Sequence, residues 1–415
     1  MSRPLTVMLV TAEASSGDAL GAALARALKK RLGGNSTRFV GVGGAAMERE
    51  GIDSPFDVSE LSIVGMFEGL MAYPKVVRRV GETATLAARE KPDIAVLIDS
   101  WGFTLRVAQR LRKQTPGLPL IKYVGPQVWA TRPGRARTLA KTVDHLLAIN
   151  TFDAPYFEAE GLPTTFVGAS TLALDLSGAD PRRLRAAIGA SADEPILLVL
   201  PGSRPGEIER LSRPFEEAVS RLVAERPSLR VVVPAAATVA DLVKAKVGAW
   251  KVPARIIEGD PLKYDAMKAA TVALACSGTV TSELAMAGCP MVVAYRLSEI
   301  GYWVLRAVYR QRHITLFNIA AGETIAPEFI QHDCTGAKLA KAVAERLDDP
   351  GLRTQQIAAQ NAILEKMGRG GPDPAEIAAD VVVRMLRDRG LLTSDGLDRG
   401  APSSLAGEGV SEADG

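Results

Sequence analysis

Leu5-Thr6-Val7-Met8-Leu9-Val10-Thr11-Ala12 runs into a small polar turn with Ser15, Ser16, Gly17 and Asp18, and then into an Ala- and Leu-rich stretch ending at Leu32. A continuous β-rich run, a turn and an amphipathic run predict strand, turn and helix in that order. The alternation recurs. Apolar runs at Arg38–Val42, Ile94–Ile98, Leu120–Val124 and His145–Ile149 each read as a strand, the first ending in Gly43-Gly44 and the second in Asp99. Strands apolar on both faces that alternate with helices predict a parallel sheet covered on both sides.

A second series begins after Asp180. Ile196–Leu200 leads into Pro201-Gly202-Ser203-Arg204, Leu229–Val233 into an Ala-rich segment, and Val272–Ala275 into Ser277-Gly278-Thr279, while Met291–Tyr295 follows Gly288 and Pro290. The repeated pattern predicts an α/β chain of two Rossmann-like, doubly wound halves facing a central cleft. The expected divisions are 1–175, 176–365, a closing C-terminal helix in 366–392, and a disordered tail rich in Gly, Ser, Ala, Asp and Glu at 393–415.

Composition agrees with two folded halves. At 415 residues the chain exceeds a usual single core, and 47% hydrophobic with 23% charged residues is the balance of a globular enzyme. Lys plus Arg (50) nearly equals Asp plus Glu (47), and a net charge of +3 argues against wholesale nucleic-acid binding. Cys276, Cys289 and Cys334 show no metal or redox spacing, which predicts reduced thiols in a cytosolic compartment, and His145, His313 and His332 are too scattered for a zinc site. The first apolar run meets Glu13 and Asp18 and reads as a buried strand rather than a signal peptide. No apolar run reaches about 18 residues, so any membrane contact is expected to be peripheral.

Three turns carry candidate chemistry. Ser277-Gly278-Thr279 opens a helix, and unpaired first-turn amides with their partial positive charge suit a diphosphate. Glu283, one turn on, is placed to accept two ribose hydroxyls; equally, Thr279 serves as a cap and Glu283 as a first-turn acid. In the Leu200–Glu207 turn, Gly202 lets a ligand approach the backbone and Arg204 has the fork for phosphate oxygens, although an Arg204–Glu207 surface ion pair uses the same residues. Asp99, directly after its strand, fits a general base and also a helix N-cap near Phe103 or a salt bridge to a neighbouring Lys or Arg; Glu13 and Asp18 share that ambiguity. No Asp-x-Asp triplet occurs, which predicts a leaving-group site built without a metal.

Two stretches have the character of a membrane surface. Leu61–Tyr73 contains Ile63, Val64, Met66, Phe67 and Leu70 and is followed by Lys75, Arg78 and Arg79; Ile300–Arg312 interleaves Tyr302, Trp303, Leu305 and Tyr309 with Arg306, Arg310 and Arg312. Apolar side chains beside cations suit an anionic lipid interface, and a helix facing the core with a basic edge gives the same pattern.

In this order the residues resemble the lipid A disaccharide synthase family. The resemblance rests on Glu13 with Ser16-Gly17-Asp18-Ala19-Leu20-Gly21, Phe39–Gly44, Ser62–Met66, Ile98-Asp99-Ser100, Tyr123–Ala130, Leu200–Glu207, Ser277–Glu283, Pro290–Arg296, Asn318 and Pro327–Gln331. It implies a GT-B fold and an inverting transfer in which the 6-hydroxyl of 2,3-diacylglucosamine 1-phosphate attacks UDP-2,3-diacylglucosamine and releases UDP. It also implies Asp99 as base, Arg204, Glu207, Ser277, Gly278, Thr279 and Glu283 at the UDP site, and Asn318 near the sugar cleft. Glu13, Ser16, Gly17 and Asp18 are implied at the acceptor side, and the Gly65–Leu70 region at the acyl chains or membrane. No cofactor is implied. The C-terminal helices are implied to cross back onto the first half, in the same chain or in a homodimer partner, with the enzyme peripheral on the cytoplasmic face of the inner membrane.

Departures from the family pattern fall on the first half and the connection that follows it. Asp99-Ser100-Trp101-Gly102-Phe103 lacks a second carboxylate, Gly125-Pro126-Gln127-Val128-Trp129-Ala130-Thr131 replaces Ser-Pro-Ser-Val-Trp-Ala-Trp, and Val167-Gly168-Ala169-Ser170 lacks a histidine. The rival readings are a transferase for another lipid acceptor, a UDP-sugar epimerase, and a silent UDP-sugar or lipid-binding protein.

Overall fold

The computed structural model describes residues 3–12, 16–33, 36–61 and 73–392. Glu13, Ile63, Val64, Met66, Phe67, Leu70 and the 393–415 tail lie outside the described residues.

The first half holds β1 (Leu5–Val10), β2 (Thr37–Val42), β3 (Ile94–Ile98), β4 (Leu120–Tyr123), β5 (His145–Ala148) and β6 (Thr164–Phe166). They form one sheet in the order β2-β1-β3-β4-β5-β6, every neighbouring pair parallel. The second half holds β7 (Ile196–Leu200), β8 (Arg230–Ala235), β9 (Arg255–Glu258), β10 (Val272–Cys276), β11 (Met291–Tyr295) and β12 (Glu328–Ile330). Their order is β12-β11-β10-β7-β8-β9, again all parallel.

Burial explains why the central strands read as unbroken apolar runs. Every residue of β3, β7 and β10 is buried, because helices cover both faces of each sheet. A fully buried Val, Leu or Ile contributes roughly 1.5–3 kcal/mol relative to an exposed one, so these strands anchor both cores.

Strand order reverses direction at one point in each sheet, and a crevice opens there at the carboxyl ends of the strands. In the first sheet that point lies between β1 and β3, in the second between β7 and β10. The turn after β3 begins at Asp99, and the turns after β7 and β10 are Pro201–Arg204 and Ser277–Gly278. The chemistry read from the sequence therefore falls at both switch points.

The halves touch through these same edges. Trp129, in the loop after β4, accepts from Gln311 Nε2 at 2.9 Å, and the Ala130 carbonyl accepts from the Arg310 amide at 2.9 Å. Residues 310–311 belong to the connection that leaves the carboxyl end of β11, so the two carboxyl edges face each other. The helix Pro350–Lys366 packs on the second half, where Gln356 Nε2 donates to the Met291 carbonyl at 2.8 Å. The helix Pro374–Asp388 returns to the first half, and its Ala375, Ala378, Ala379, Val382 and Leu386 pack with Val7, Leu24 and Leu28 of the same chain.

Candidate functional site

A cavity of about 550 Å³ lies at the second sheet's switch point. Arg204, Glu207, Ser277, Gly278, Thr279 and Glu283 all line it, together with residues 234–237 at the end of β8, residues 257–260 at the end of β9, and Lys263.

Each wall has a local cause. Gly202 sits at φ +125°, and a side chain there would meet Glu207 Cβ at 2.7 Å, so glycine is required for the turn to fold over the next helix. That helix, Pro205–Glu225, starts with Pro at its first position. Glu207 is buried; its carboxylate accepts from the Ser203 amide at 3.1 Å, the Arg204 amide at 3.3 Å and the Arg204 guanidinium at 3.0 Å. Glu207 thus holds the turn, while the Arg204 side chain, paired with it through one nitrogen, stays 72% exposed at the cavity wall.

On the opposite wall the helix Thr279–Met286 begins after Gly278 with no side-chain cap, so the expected capping role of Thr279 is not the one observed. Gly278, Thr279 and Val280 line the cavity at this helix start, where the first amides of a helix have no carbonyl a full turn before them. Glu283 Oε2 lies 2.6 Å from Lys263 Nζ. Lys263 was not legible beforehand, since it comes from the helix Asp260–Ala269 on the far side of the cavity. Cys276 also lines the cavity, but burial pushes its thiol far above its ordinary range and leaves it unreactive.

Asn318 does not line the cavity. Its amide is fully buried, donating to the Ala326 carbonyl at 2.8 Å and accepting from the Ile325 and Ala326 amides at 2.9 and 3.1 Å. Its polar groups are committed to the 325–326 loop. Glu328 and Gln331, from the Pro327–Gln331 stretch, also turn inward, Glu328 accepting from the Ile314 and Thr315 amides and Gln331 from the Leu297 amide.

At the first sheet's switch point, Asp99 and Ser100 occupy φ +47° and +44°, and Val124, one strand over, φ +68°. Consecutive left-handed non-glycine residues cost on the order of 1–3 kcal/mol each and persist only where the surroundings impose them. Asp99 Oδ1 accepts from the Ser100 amide at 2.7 Å, and the helix Trp101–Gln114 takes Ser100, not Asp99, at its cap position. The helix-capping alternative for Asp99 is therefore excluded by geometry. Beneath the turn, Lys122 is fully buried in β4 and donates to the Asp99 carbonyl and, at 2.8 Å, to Thr104 Oγ1. Burial brings its ammonium down to about 7, against the pull of the Asp99 carboxylate.

Of the other first-half candidates, Ser16 and Gly17 open the helix Ser16–Leu32. Asp18 is buried and accepts from the amides of Gly44, Ala46 and Met47 at 2.8, 2.7 and 3.0 Å. It thereby caps the short helix Ala45–Glu48 from across the turn. The Trp129 indole donates to Asp153 at 2.8 Å, and burial raises the Asp153 carboxyl to about 6.

The chain matches the family described as lipid-A-disaccharide synthetase over residues 7–382. It is 40% identical over 402 residues to the lipid-A-disaccharide synthase of Rhodospirillum centenum, covering 97% of this chain and all of that one. It is 41% identical over 385 residues to that of Paramagnetospirillum magneticum, covering 92% and 98%. Among solved structures it resembles the Staphylococcus aureus MnaA–UDP complex with a TM-score of 0.59 at 16% identity, covering 94% of this chain and 98% of that one. A Listeria monocytogenes structure described as a putative UDP-N-acetylglucosamine 2-epimerase gives 0.60 at 15%, covering 94% and 97%. These two share the fold, and the fold is the GT-B arrangement of two parallel six-stranded halves. With its paired switch points and its match along nearly the whole length, the chain belongs to the lipid-A-disaccharide synthase family.

Proposed function

We propose that this chain joins UDP-2,3-diacylglucosamine to the 6-hydroxyl of 2,3-diacylglucosamine 1-phosphate, giving a β-1,6-linked disaccharide 1-phosphate and UDP. The cavity at the second switch point carries the reading, because it gathers six residues of separate sequence segments around one space of nucleotide size. Arg204 and the amides of Gly278 and Thr279 take the diphosphate, and Glu283, steadied by Lys263, takes the ribose hydroxyls. Residues 234–237 and 257–259, where β8 and β9 end, supply apolar and main-chain walls for the pyrimidine.

Asp99 removes the acceptor proton as the oxygen–anomeric carbon bond forms and the bond to the diphosphate breaks. The electron pair leaves with UDP, whose charge falls on Arg204 and the helix amides. Residues 1–175 serve as the acceptor half and 176–365 as the nucleotide half.

Membrane contact belongs to the same proposal. The helix Glu299–Val308 has no buried residue, with Ile300 80% and Trp303 58% exposed beside Arg306. No helix among the described residues is long and apolar enough to cross a membrane. A surface helix of this kind suits peripheral attachment to anionic lipid on the cytoplasmic face.

Incubation with UDP-diacylglucosamine and a panel of acylated glucosamine phosphates tests the reading. Disaccharide and UDP should appear together. UDP binding without disaccharide, or interconversion of UDP-N-acetylglucosamine alone, would overturn it in favour of a silent binder or an epimerase.

A further inference from the structure

A second groove, about 400 Å³, runs between the two halves beside the Asp99 turn. One wall is Arg132 and Arg135; the other is the apolar face of the Glu299–Val308 helix, presenting Val304, Leu305 and Val308. We infer that this groove binds the acceptor, with the two guanidinium groups on its phosphate and the apolar wall along its acyl chain. The inference rests on the glycosyl-transfer reading and deepens it by assigning the phosphate subsite.

The groove's two cations stand without a counter-charge among the described residues. Most arginines of the first half have a carboxylate partner; Arg137, two residues beyond Arg135, pairs with Glu160 at 3.0 Å. Among the described residues neither Arg132 nor Arg135 has a side-chain hydrogen bond or an ion pair. Two cations held close together in a groove without an anion repel each other, and partial burial with that repulsion lowers the Arg135 guanidinium's pKa. A phosphate monoester removes the repulsion and accepts from both forks.

Arg132 stands at φ +50°, a conformation that a non-glycine residue keeps only when the surroundings impose it. The Arg135 guanidinium stacks over the Trp101 ring at 5.1 Å, and Trp101 is two residues from Asp99. The stack ties the cationic pair to the turn that holds the base. Val304 and Val308, 57% and 45% exposed, continue the groove's apolar wall toward the helix face proposed to meet lipid. A wall of this kind suits an acyl chain and does not suit a free sugar phosphate or a nucleic acid.

The test uses the double variant Arg132→Gln/Arg135→Gln and a short-chain acylated glucosamine 1-phosphate, beside the same compound without its phosphate. In direct binding, wild type should prefer the phosphorylated compound, and the variant should lose that preference by roughly tenfold to a hundredfold. UDP affinity and melting temperature should stay at wild-type values. Phosphate preference unchanged in the variant would overturn the assignment, and so would parallel loss of binding to both compounds. Loss of anionic-vesicle binding with phosphate preference intact would reassign the arginines to the bulk lipid surface. Because binding is read without turnover, failure of glycosyl transfer would show separately, as absence of disaccharide with binding retained.

Discussion

The Lys122 ammonium, buried within the first sheet, donates to the main-chain carbonyl of Asp99 and so braces the left-handed turn from below. A buried cation here is costly, and its cost depends on pH. In the unfolded chain lysine titrates near 10.5, in the folded protein near 7, so between those values only the unfolded chain holds the proton. The Lys122 contribution to stability is thus least below pH 7 and rises with pH up to about 10.5, by at most on the order of 5 kcal/mol. Lys122→Met should flatten that rise. Urea unfolding of both proteins at about pH 6.5, 8 and 9.5 reads it, and equal slopes would refute it.

Asp99→Asn keeps the oxygen that accepts from the Ser100 amide, so the turn should survive while the proton acceptor is lost. Turnover is expected to fall roughly a hundred- to ten-thousand-fold, with UDP affinity and melting temperature at wild-type values. Steady-state kinetics on the purified variant decides it; turnover within a few-fold of wild type would move the base elsewhere.

The Glu283–Lys263 pair should act as a unit on nucleotide affinity. Lys263→Met and Glu283→Gln are each expected to weaken UDP binding, and the double variant less than the sum, with a coupling of about 0.5–3 kcal/mol. Arg204→Ala should weaken UDP independently by about 1.5–3 kcal/mol. Calorimetric titration with UDP measures all four, and strict additivity across the pair would separate the two residues.

Asn318→Ala and Asp18→Ala should behave as stability variants. Each leaves buried main-chain groups without partners, at roughly 1–3 kcal/mol for each orphaned group. Denaturant midpoints should drop while the UDP affinity of the folded fraction holds. A large affinity loss at unchanged midpoint in the Asn318 variant would return that residue to the sugar site.

Ile300, Trp303 and Val304 changed together to Ser should release the protein from anionic vesicles without loss of melting temperature, since none of the three is buried. Co-sedimentation that persists in the folded triple variant would place lipid contact elsewhere.

Sequence made the central strands and the switch-point turns legible, because buried parallel strands are written as unbroken apolar runs. Thr164–Phe166, Arg255–Glu258 and Glu328–Ile330 escaped for a physical reason: at three or four mixed residues, only pairing with β5, β8 and β11 makes them strands. Lys122 left a trace, a single charge inside Leu-Ile-Lys-Tyr. Lys263 left none, since its partnership with Glu283 exists only once two helices meet across the cavity. The backbone-holding bonds of Asp18 and Asn318 left no trace in sequence, because a carboxylate or amide that caps backbone and one that meets a ligand are the same letter.

The return of the Pro374–Asp388 helix to the first half sets an order of events during synthesis. The first sheet is complete once β6 has emerged, yet the covering that packs with Val7, Leu24 and Leu28 is supplied about two hundred residues later. Until then an apolar surface on the first half stays open to water while the second half is being made, so the nascent chain must be kept from associating through it. The last helix works as a late clasp, and chains released before residue 386 would carry that exposed surface permanently.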